Sequence, residues 1–437
     1  MKTITIAVAT VALFLGPAAP AHGQAELYGF VEYATGANVV DGDVPSPAGG
    51  NLPDYIMREL RLQLKSDLYG DVGEAHFRVD ILADEVRQDE TEVIVREGYV
   101  KFNAFDNNLE VRAGRQPTTW GTGDLLFIND LFPKDYVSFF VGRDDEYLKS
   151  PSDVLRLKLF SVLPFNVDLV LTPQFAPDVL PVGERLTFFA PAQGRFVTPD
   201  EEFGNGEAAV RLNRYVGSWN YALYGYTGFW KGPQGFRPAT TQGELSEFYH
   251  PELNSLGASA RGPLFGGVAW AEGGYYDSSD DSDGDDPFVP NSEYRAMVGF
   301  ERQWWSDFTG GMQFYWEGMQ DHDAAVDARA AAVDQFVAGG MDRADAEYAL
   351  FLKEENRTLL TLRLRQQFMY QTLTLGFFGF YSPSDEDSYL RASVDYDYSD
   401  SLTLTVGTNW FTGEDQRTLF GMNDDNDNVY ARIRYGF

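Results

Sequence analysis

The chain ends on the nine residues Val429-Tyr430-Ala431-Arg432-Ile433-Arg434-Tyr435-Gly436-Phe437. Apolar or aromatic side chains occupy every second position, and polar or charged residues lie between them. This period of two is typical of a β-strand with one apolar and one wet face. We expect this strand to pair with the early segment 27–33, so that neither segment leaves an exposed strand edge. The alternative is an ordinary last strand of a soluble sheet.

Similar alternating segments, each of about nine to fifteen residues, recur along the whole chain. Clear examples lie at residues 60–64, 77–81, 155–159 and 402–406. One segment, residues 92–105, changes register around Arg96, which predicts a β-bulge there. With the first and last strands the count is roughly eighteen, and the barrels of single-chain bacterial outer-membrane proteins have even strand numbers.

The connections between these segments alternate in length. Short ones are expected at residues 70–73, 106–108, 163–165, 216–218, 265–267, 305–307, 370–372 and 399–401, and long ones at 40–54, 122–151, 176–205, 231–251, 277–290, 320–356 and 413–428. Tight turns at one end and long loops at the other are typical of outer-membrane barrels. The last nine residues also resemble the terminal assembly signal of such barrels, carried here by Tyr435 and Phe437. We therefore predict an all-β fold, a transmembrane antiparallel barrel of about 18 strands with short periplasmic turns and long outer loops.

Composition limits the classes of function that remain. Residues 1–23 read as a cleaved signal peptide and residues 24–437 as the mature barrel, which places the protein in the Gram-negative outer membrane. The chain has 437 residues and no cysteine, which excludes disulfides and thiolate metal sites. Its formal net charge of -32 argues against nucleic-acid binding. No nucleophile-elbow or His-Glu metal motif is present, so we expect no enzymatic activity.

The third connection on the outer side, residues 122–151, is long and carries the first candidate site, whereas the second, residues 88–90, is short. Residues 120–140 are unusually apolar for a loop in water, so we expect them to fold into the lumen and narrow it. The candidate constriction residues are Arg115, Trp120, Asp124, Asp130, Lys134 and Asp135. The stretch that contains Gly114-Arg115-Gln116, Trp120-Gly121 and Phe132-Pro133 is similar to one in large proteobacterial outer-membrane barrels, including alginate-export-type channels. That resemblance implies a pore-narrowing loop, which Arg115 would fix by pairing with Asp130 or Asp135, either as a purely structural clamp or in contact with solute.

The second candidate site is the wall of the lumen. If the apolar side chains of each strand face outward, the inward basic set is Arg61, Arg78, Lys101, Arg112, Arg156, Lys158, Arg211, Arg295, Arg363, Arg365, Arg391, Arg432 and Arg434. Guanidinium groups in a pore favour carboxylates or phosphates. The alternative is that they stabilise the interior through ion pairs with inward carboxylates.

Two further features lie in the long loops. Residues 323–338 and 342–354 predict a helical hairpin within residues 322–356, with an apolar stripe at Val326, Ala330, Val333 and Val337. The hairpin either packs on the rim or acts as a lid. Separately, Asp281, Asp283 and Asp285 offer hard oxygen ligands for Ca²⁺, although a solvated acidic loop has the same composition. No other cofactor is expected.

Passive passage of a hydrophilic, anionic solute is the function that these features favour. Export of an anionic polysaccharide and a plugged barrel that serves as a scaffold for a partner protein are the alternatives. The expected partners are outer-membrane lipid and lipopolysaccharide, the barrel-assembly machinery and a small solute. The sequence leaves the oligomeric state open.

Overall fold

The computed structural model describes residues 25–39, 51–87, 90–160, 163–181, 185–186, 194–239 and 245–437. The predicted signal peptide lies outside these residues. In chain order the strands are β1 (Ala25–Asn38), β2 (Tyr55–Tyr69), β3 (Glu74–Asp84), β4 (Glu90–Ala104), β5 (Leu109–Pro117), β6 (Pro151–Leu159), β7 (Asn166–Thr172), β8 (Gly194–Val197), β9 (Glu207–Val216), β10 (Trp219–Phe229), β11 (Gly235–Arg237), β12 (Ser246–Tyr249), β13 (Glu252–Leu264), β14 (Gly267–Ser278), β15 (Glu293–Trp305), β16 (Phe308–Met319), β17 (Asn356–Phe368), β18 (Leu373–Ser382), β19 (Asp387–Ser399), β20 (Leu402–Thr412) and β21 (Asn428–Gly436). Strands β8, β11 and β12 form a separate small sheet, and the other eighteen form one sheet.

The large sheet closes on itself, because β21 pairs antiparallel with β1. Phe30 lies opposite Gly436, and the Gly29 and Phe437 backbones exchange two hydrogen bonds of 2.9 and 3.0 Å. Every neighbouring pair in this sheet is antiparallel. The predicted closure, the antiparallel barrel and the count of eighteen strands are confirmed.

Along the strands, apolar side chains face outward and charged side chains face inward, which is the reverse of the arrangement in a soluble protein. On β2, Leu60 is 50% exposed on the outer face, whereas Glu59 and Arg61 on either side of it are each 3% exposed and point inward. A bilayer provides an apolar surrounding for such outward side chains, and the inward charges then need partners inside the lumen.

The two ends of the barrel differ in the lengths of most of their connections. The connections at one end are two to six residues long, such as the turn at residues 217–218, where Gly217 has a φ of +60°. Long connections, including residues 118–150, join strands at the other end. On β4 the register skips Arg96, since Arg78 pairs with Glu97 and Val79 with Val95. The predicted bulge at Arg96 is confirmed.

Among the residues that the structure describes, three α-helices lie in the long connections: α1 (Tyr136–Phe140), α2 (His322–Ala338) and α3 (Arg343–Ala349). Among the described residues, none of the helices has the length and apolar character needed to cross a bilayer. Helix α3 ends five residues before the predicted end of the hairpin at Glu354.

The buried face of the hairpin also differs from the predicted stripe. Val333 is buried, but Val326 is 42% exposed, and Ala325 and Ala332 are buried instead. The reason is the position of the partner: Phe336 of α2 packs on Phe288 of the neighbouring connection, with 6.2 Å between the ring centroids. A partner from elsewhere in the sequence therefore decides which face is buried.

Candidate functional site

Residues 118–150 join β5 to β6 and are called here the lumen segment. One of their contacts with the barrel wall is with the carboxylate of Glu272 on β14, which is 4% exposed. It accepts four hydrogen bonds, from the amide and hydroxyl of Thr122 at 2.6 and 2.7 Å and from the amide and side chain of Asn129 at 2.8 and 3.0 Å. One buried carboxylate thus fixes two points of the lumen segment.

Two glycines on the barrel wall leave room for this contact. A Cβ atom on Gly257 of β13 would lie 1.8 Å from Asn129 Oδ1, and one on Gly274 of β14 would lie 2.9 Å from Ile128 Cγ2. The backbone of the lumen segment therefore approaches the wall closely only because both positions are glycine.

A second contact lies on strands β16 and β17. The side-chain amide of Gln313 donates to the Asp124 carbonyl at 2.7 Å and accepts from the Asp124 amide at 2.8 Å. One Nη atom of Arg363 donates to both carboxylate oxygens of Asp124, at 2.7 and 2.8 Å. Asp124 thus meets the predicted wall residue Arg363 rather than standing free in the lumen.

Three consecutive carboxylates, Asp144, Asp145 and Glu146, form what we call the acid triad of the lumen segment. The triad bonds to five arginines from four strands: Arg78 on β3, Arg363 on β17, Arg391 on β19, and Arg432 and Arg434 on β21. Burial alone would raise the pKa of Asp144, but Arg432 and Arg434 outweigh it and lower the pKa below its ordinary value. Asp144 is therefore held in its ionised form.

Aromatic packing completes the contact of the lumen segment with the wall. Phe139 and Phe140 of α1 pack against Tyr389 of β19, each with 5.5 Å between ring centroids, and Phe140 also contacts Phe411 of β20. The adjacent Tyr147 is 2% exposed, and its hydroxyl accepts from the side chain of Gln63 on β2 at 3.1 Å. The segment thus contacts strands around most of the barrel.

The predicted constriction residues within the lumen segment are all bonded, and Asp124 is in addition partly exposed. Trp120 is buried and donates to Asp168 at 3.1 Å, and the Asp130 carboxylate pairs with Lys134 at 3.1 Å with both side chains buried. Asp135 caps α1 by accepting the Ser138 amide at 2.8 Å. The side chain of Asp124 keeps 35% exposure.

The proposed pairing of Arg115 with Asp130 or Asp135 is wrong. Arg115 instead donates to the Val95 carbonyl at 2.8 Å and pairs with Asp153 at 3.3 Å. Arg115 lies on β5, so its side chain reaches the neighbouring strands β4 and β6, whereas the two aspartates already have partners within their own segment.

Most of the predicted basic wall residues have an acidic partner. Outside the acid triad and Asp124, the pairs include Arg61 with Asp80, Lys101 with Glu74, Arg112 and Lys158 with Glu110, Arg156 with Asp168, and Arg295 with Glu293. Arg211 donates to the side chain of Asn220 at 3.5 Å and lies over the ring of Tyr224. Arg365 makes no ion pair with any residue in the part of the chain that the structure describes. The wall is thus largely a network of arginines and carboxylates, with few uncompensated cations.

A further buried charge cluster joins the lumen segment to the connection of residues 173–206. Asp178 accepts the Lys134 amide at 2.7 Å, and Lys231 pairs with Glu207 at 2.6 Å. Burial raises the pKa of Asp178 to about 6, although the nearby Lys134 and Lys231 act in the opposite direction. The neutral form of this carboxyl is therefore favoured over a wider pH range than in an ordinary aspartate.

The acidic loop shows no assembled cation site. The carboxylate of Asp281 accepts the amides of Asp285 and Asp286, at 3.3 and 3.0 Å. Within the described ranges, no group of three or more His, Cys, Asp or Glu side chains is arranged to hold a metal ion. Calcium binding by Asp281, Asp283 and Asp285 stays a prediction, and a calorimetric titration with no heat above that of buffer would contradict it.

Several residues that hold the lumen segment are not among those predicted from the sequence. Glu272 lies on a strand whose alternation is weak, but its position two residues from Trp270 on the inward face was a usable signal. The acid triad was visible as three adjacent acids just before β6. Its arginine partners could not be assigned, because Asp144 and Arg432 are 288 residues apart.

The similarity of this chain to known proteins is limited to the fold. No protein-family model matches this chain, and no curated protein does. Among solved structures, OccAB3 of Acinetobacter baumannii aligns with a TM-score of 0.53 at 8% identity, covering 95% of this chain and 99% of that one. OccK5 (OpdH) and OccK8 (OprE) of Pseudomonas aeruginosa each align with a TM-score of 0.51, at 7% and 11% identity, covering 95% of this chain and 97% and 98% of theirs. The fold is that of a large bacterial outer-membrane β-barrel. The predicted resemblance to that class is confirmed at the level of fold.

Proposed function

We propose that the protein is an outer-membrane channel through which hydrophilic solutes pass passively. The observation that carries this proposal is the inverted barrel, whose inner face is charged along its length while its outer face is apolar. Such a wall is compatible with water and with polar solutes, and an apolar outer face suits lipid. The likeness to OccAB3 supports the fold on which the proposal rests.

We further propose that carboxylate or phosphate groups are the preferred cargo. Arg363 supports this, because 42% of its side chain remains exposed beside Asp124, and Arg365 adds a cation without an acidic partner among the described residues. A guanidinium group can exchange one oxyanion partner for another with little loss of hydrogen bonding. A weak or absent preference for anions would instead assign these arginines to wall structure.

The extensive bonding of the lumen segment favours a second candidate, a plugged barrel that acts as a scaffold. Liposome swelling separates the two functions. Vesicles that contain the refolded barrel should swell in an isotonic neutral sugar and faster in the matching uronic acid salt. Swelling no faster than that of protein-free vesicles would support the plugged barrel, and equal rates for both sugars would remove the anion preference.

A further inference from the structure

The acid triad occupies a site that has the composition of an anion receptor. Five guanidinium groups from β3, β17, β19 and β21 converge on three consecutive carboxylates of one segment. We call the five arginines, Arg78, Arg363, Arg391, Arg432 and Arg434, the guanidinium cage. Arginine is the residue best suited to bind carboxylate and phosphate groups through paired hydrogen bonds.

The cage carries more positive charge than its own wall can neutralise. Without the triad, Arg432 and Arg434 would share Glu32, at 3.8 and 2.7 Å, and Arg78 would keep, among the described carboxylates, Glu97 at 3.6 Å. Arg363 would keep Asp124, whereas Arg391 has no other carboxylate within 4.0 Å among the described residues. Poorly solvated cations without partners are costly, so the cage needs an anion whenever the triad is absent.

One edge of the cage, at Arg363, is exposed, whereas the side chains of Arg78, Arg391 and Arg432 are 9–13% exposed. The side chains of Asp145 and Glu146 are 36% and 39% exposed, and that of Arg363 is 42% exposed. The triad therefore covers the arginines only in part, unlike the fully buried clamp at Glu272.

We propose that the guanidinium cage is a binding site for a compact multivalent oxyanion, and that the acid triad occupies it as a tethered competitor. The inference rests on the proposed channel function, in which such an anion is a cargo or a trigger. A tethered group competes at an effective concentration in the millimolar range. A monovalent carboxylate thus competes poorly with three linked ones, whereas an anion with two or more charged groups can engage several arginines together. Its binding releases the triad and loosens this part of the lumen segment.

The test uses the full refolded barrel in a planar bilayer with three probes at equal ionic strength: tripolyphosphate, propane-1,2,3-tricarboxylate and acetate. The variant Asp144→Asn/Asp145→Asn/Glu146→Gln removes the competitor. The matched control, Glu414→Gln/Asp424→Asn/Asp425→Asn, removes the same charges from exposed positions of residues 413–427. The multivalent anions should alter the current of the triad variant at about a tenfold lower concentration than that of wild type or control.

Acetate should have no effect on any of the proteins, and the more potent multivalent probe identifies the preferred oxyanion chemistry. Equal potency on wild type and triad variant would overturn the proposal.

A second measurement on the wild-type protein tests the same proposal if the triad variant does not fold or if the barrel carries no current. In wild type, the amides of Arg143 and Tyr147 donate to the carbonyls of Ser138 and Asp144. Tripolyphosphate or the tricarboxylate should speed hydrogen exchange in residues 143–148, and acetate should not.

Unchanged exchange with all three anions would also overturn the proposal. A wild-type barrel without current would contradict the channel function alone, because the exchange measurement still reports on the cage.

Discussion

Replacing Glu272 should detach the lumen segment from the wall while leaving the barrel closed. The carboxylate accepts four hydrogen bonds from Thr122 and Asn129, and each bond to a charged acceptor contributes about 1.5–3 kcal/mol. The simple sum is an upper limit, because the freed donors bind water once the segment moves away. We expect Glu272→Ala to shift the local opening equilibrium by about 3 kcal/mol, a factor of roughly 100.

Glu272→Gln should have an intermediate effect. The glutamine carbonyl can accept only part of the four bonds, and its NH₂ group would face donors instead of accepting from them. A factor of about ten, or ~1.4 kcal/mol, follows if roughly half of the contact is kept. Glu301→Gln is the matched control, since Glu301 is an inward carboxylate of β15 that makes no bond to the lumen segment.

The assay is hydrogen exchange of the folded protein, followed by mass spectrometry of peptides that cover residues 118–132 and of peptides from the barrel strands. Exchange should accelerate in residues 118–132 in the order Glu272→Ala, Glu272→Gln, wild type, with the strands unchanged. Equal protection in all three proteins would refute the clamp. Loss of protection in the strands as well would show that Glu272 supports the barrel rather than the segment.

Three further predictions concern Asp178, Trp120 and the helical hairpin. In the folded protein Asp178 has a pKa of about 6, above the ordinary aspartate value, so its neutral form stabilises the folded contact. The free energy that protects residues 173–181 from hydrogen exchange should therefore fall by at most ~3 kcal/mol as the pH rises from about 4 to 6. Asp178→Asn should abolish this pH dependence. Trp120→Phe removes the indole donor to Asp168 and should weaken protection of residues 118–122 by about 1 kcal/mol, whereas Trp219→Phe on the outer face should not. Val333→Ala should cost ~1 kcal/mol and speed proteolysis within residues 320–355, while the exposed Val326→Ala should have no effect; equal proteolysis of both variants would contradict the assigned buried face.

The barrel was predictable because its signals are local. Alternation places Leu60 outward and Arg61 inward without knowledge of any distant residue, and the short turns fix which strands are neighbours. Even the bulge at Arg96 appears as a local break in the alternation. The terminal strand specified the closure for the same reason, because its pattern requires a partner for each edge.

The bonding inside the lumen was not predictable in the same way. The contact between Asp124 and Arg363 spans 239 residues, and nothing near either residue identifies the other. Inward aromatic residues such as Phe378 and Phe380 depart from the simple rule that apolar side chains face lipid, because α1 brings Phe139 into the lumen to meet them. The sequence thus predicts that the wall is charged but not which charges the lumen segment neutralises.

Single-channel recording of the refolded barrel under a salt gradient tests the central claim most directly. A water-filled lumen bordered by Arg363 and the rest of the guanidinium cage predicts a steady current whose reversal potential shows a preference for anions. A steady current with cation preference would contradict the role of the arginines in selection. No current above that of the protein-free bilayer would contradict the channel itself and leave the plugged barrel as the better account.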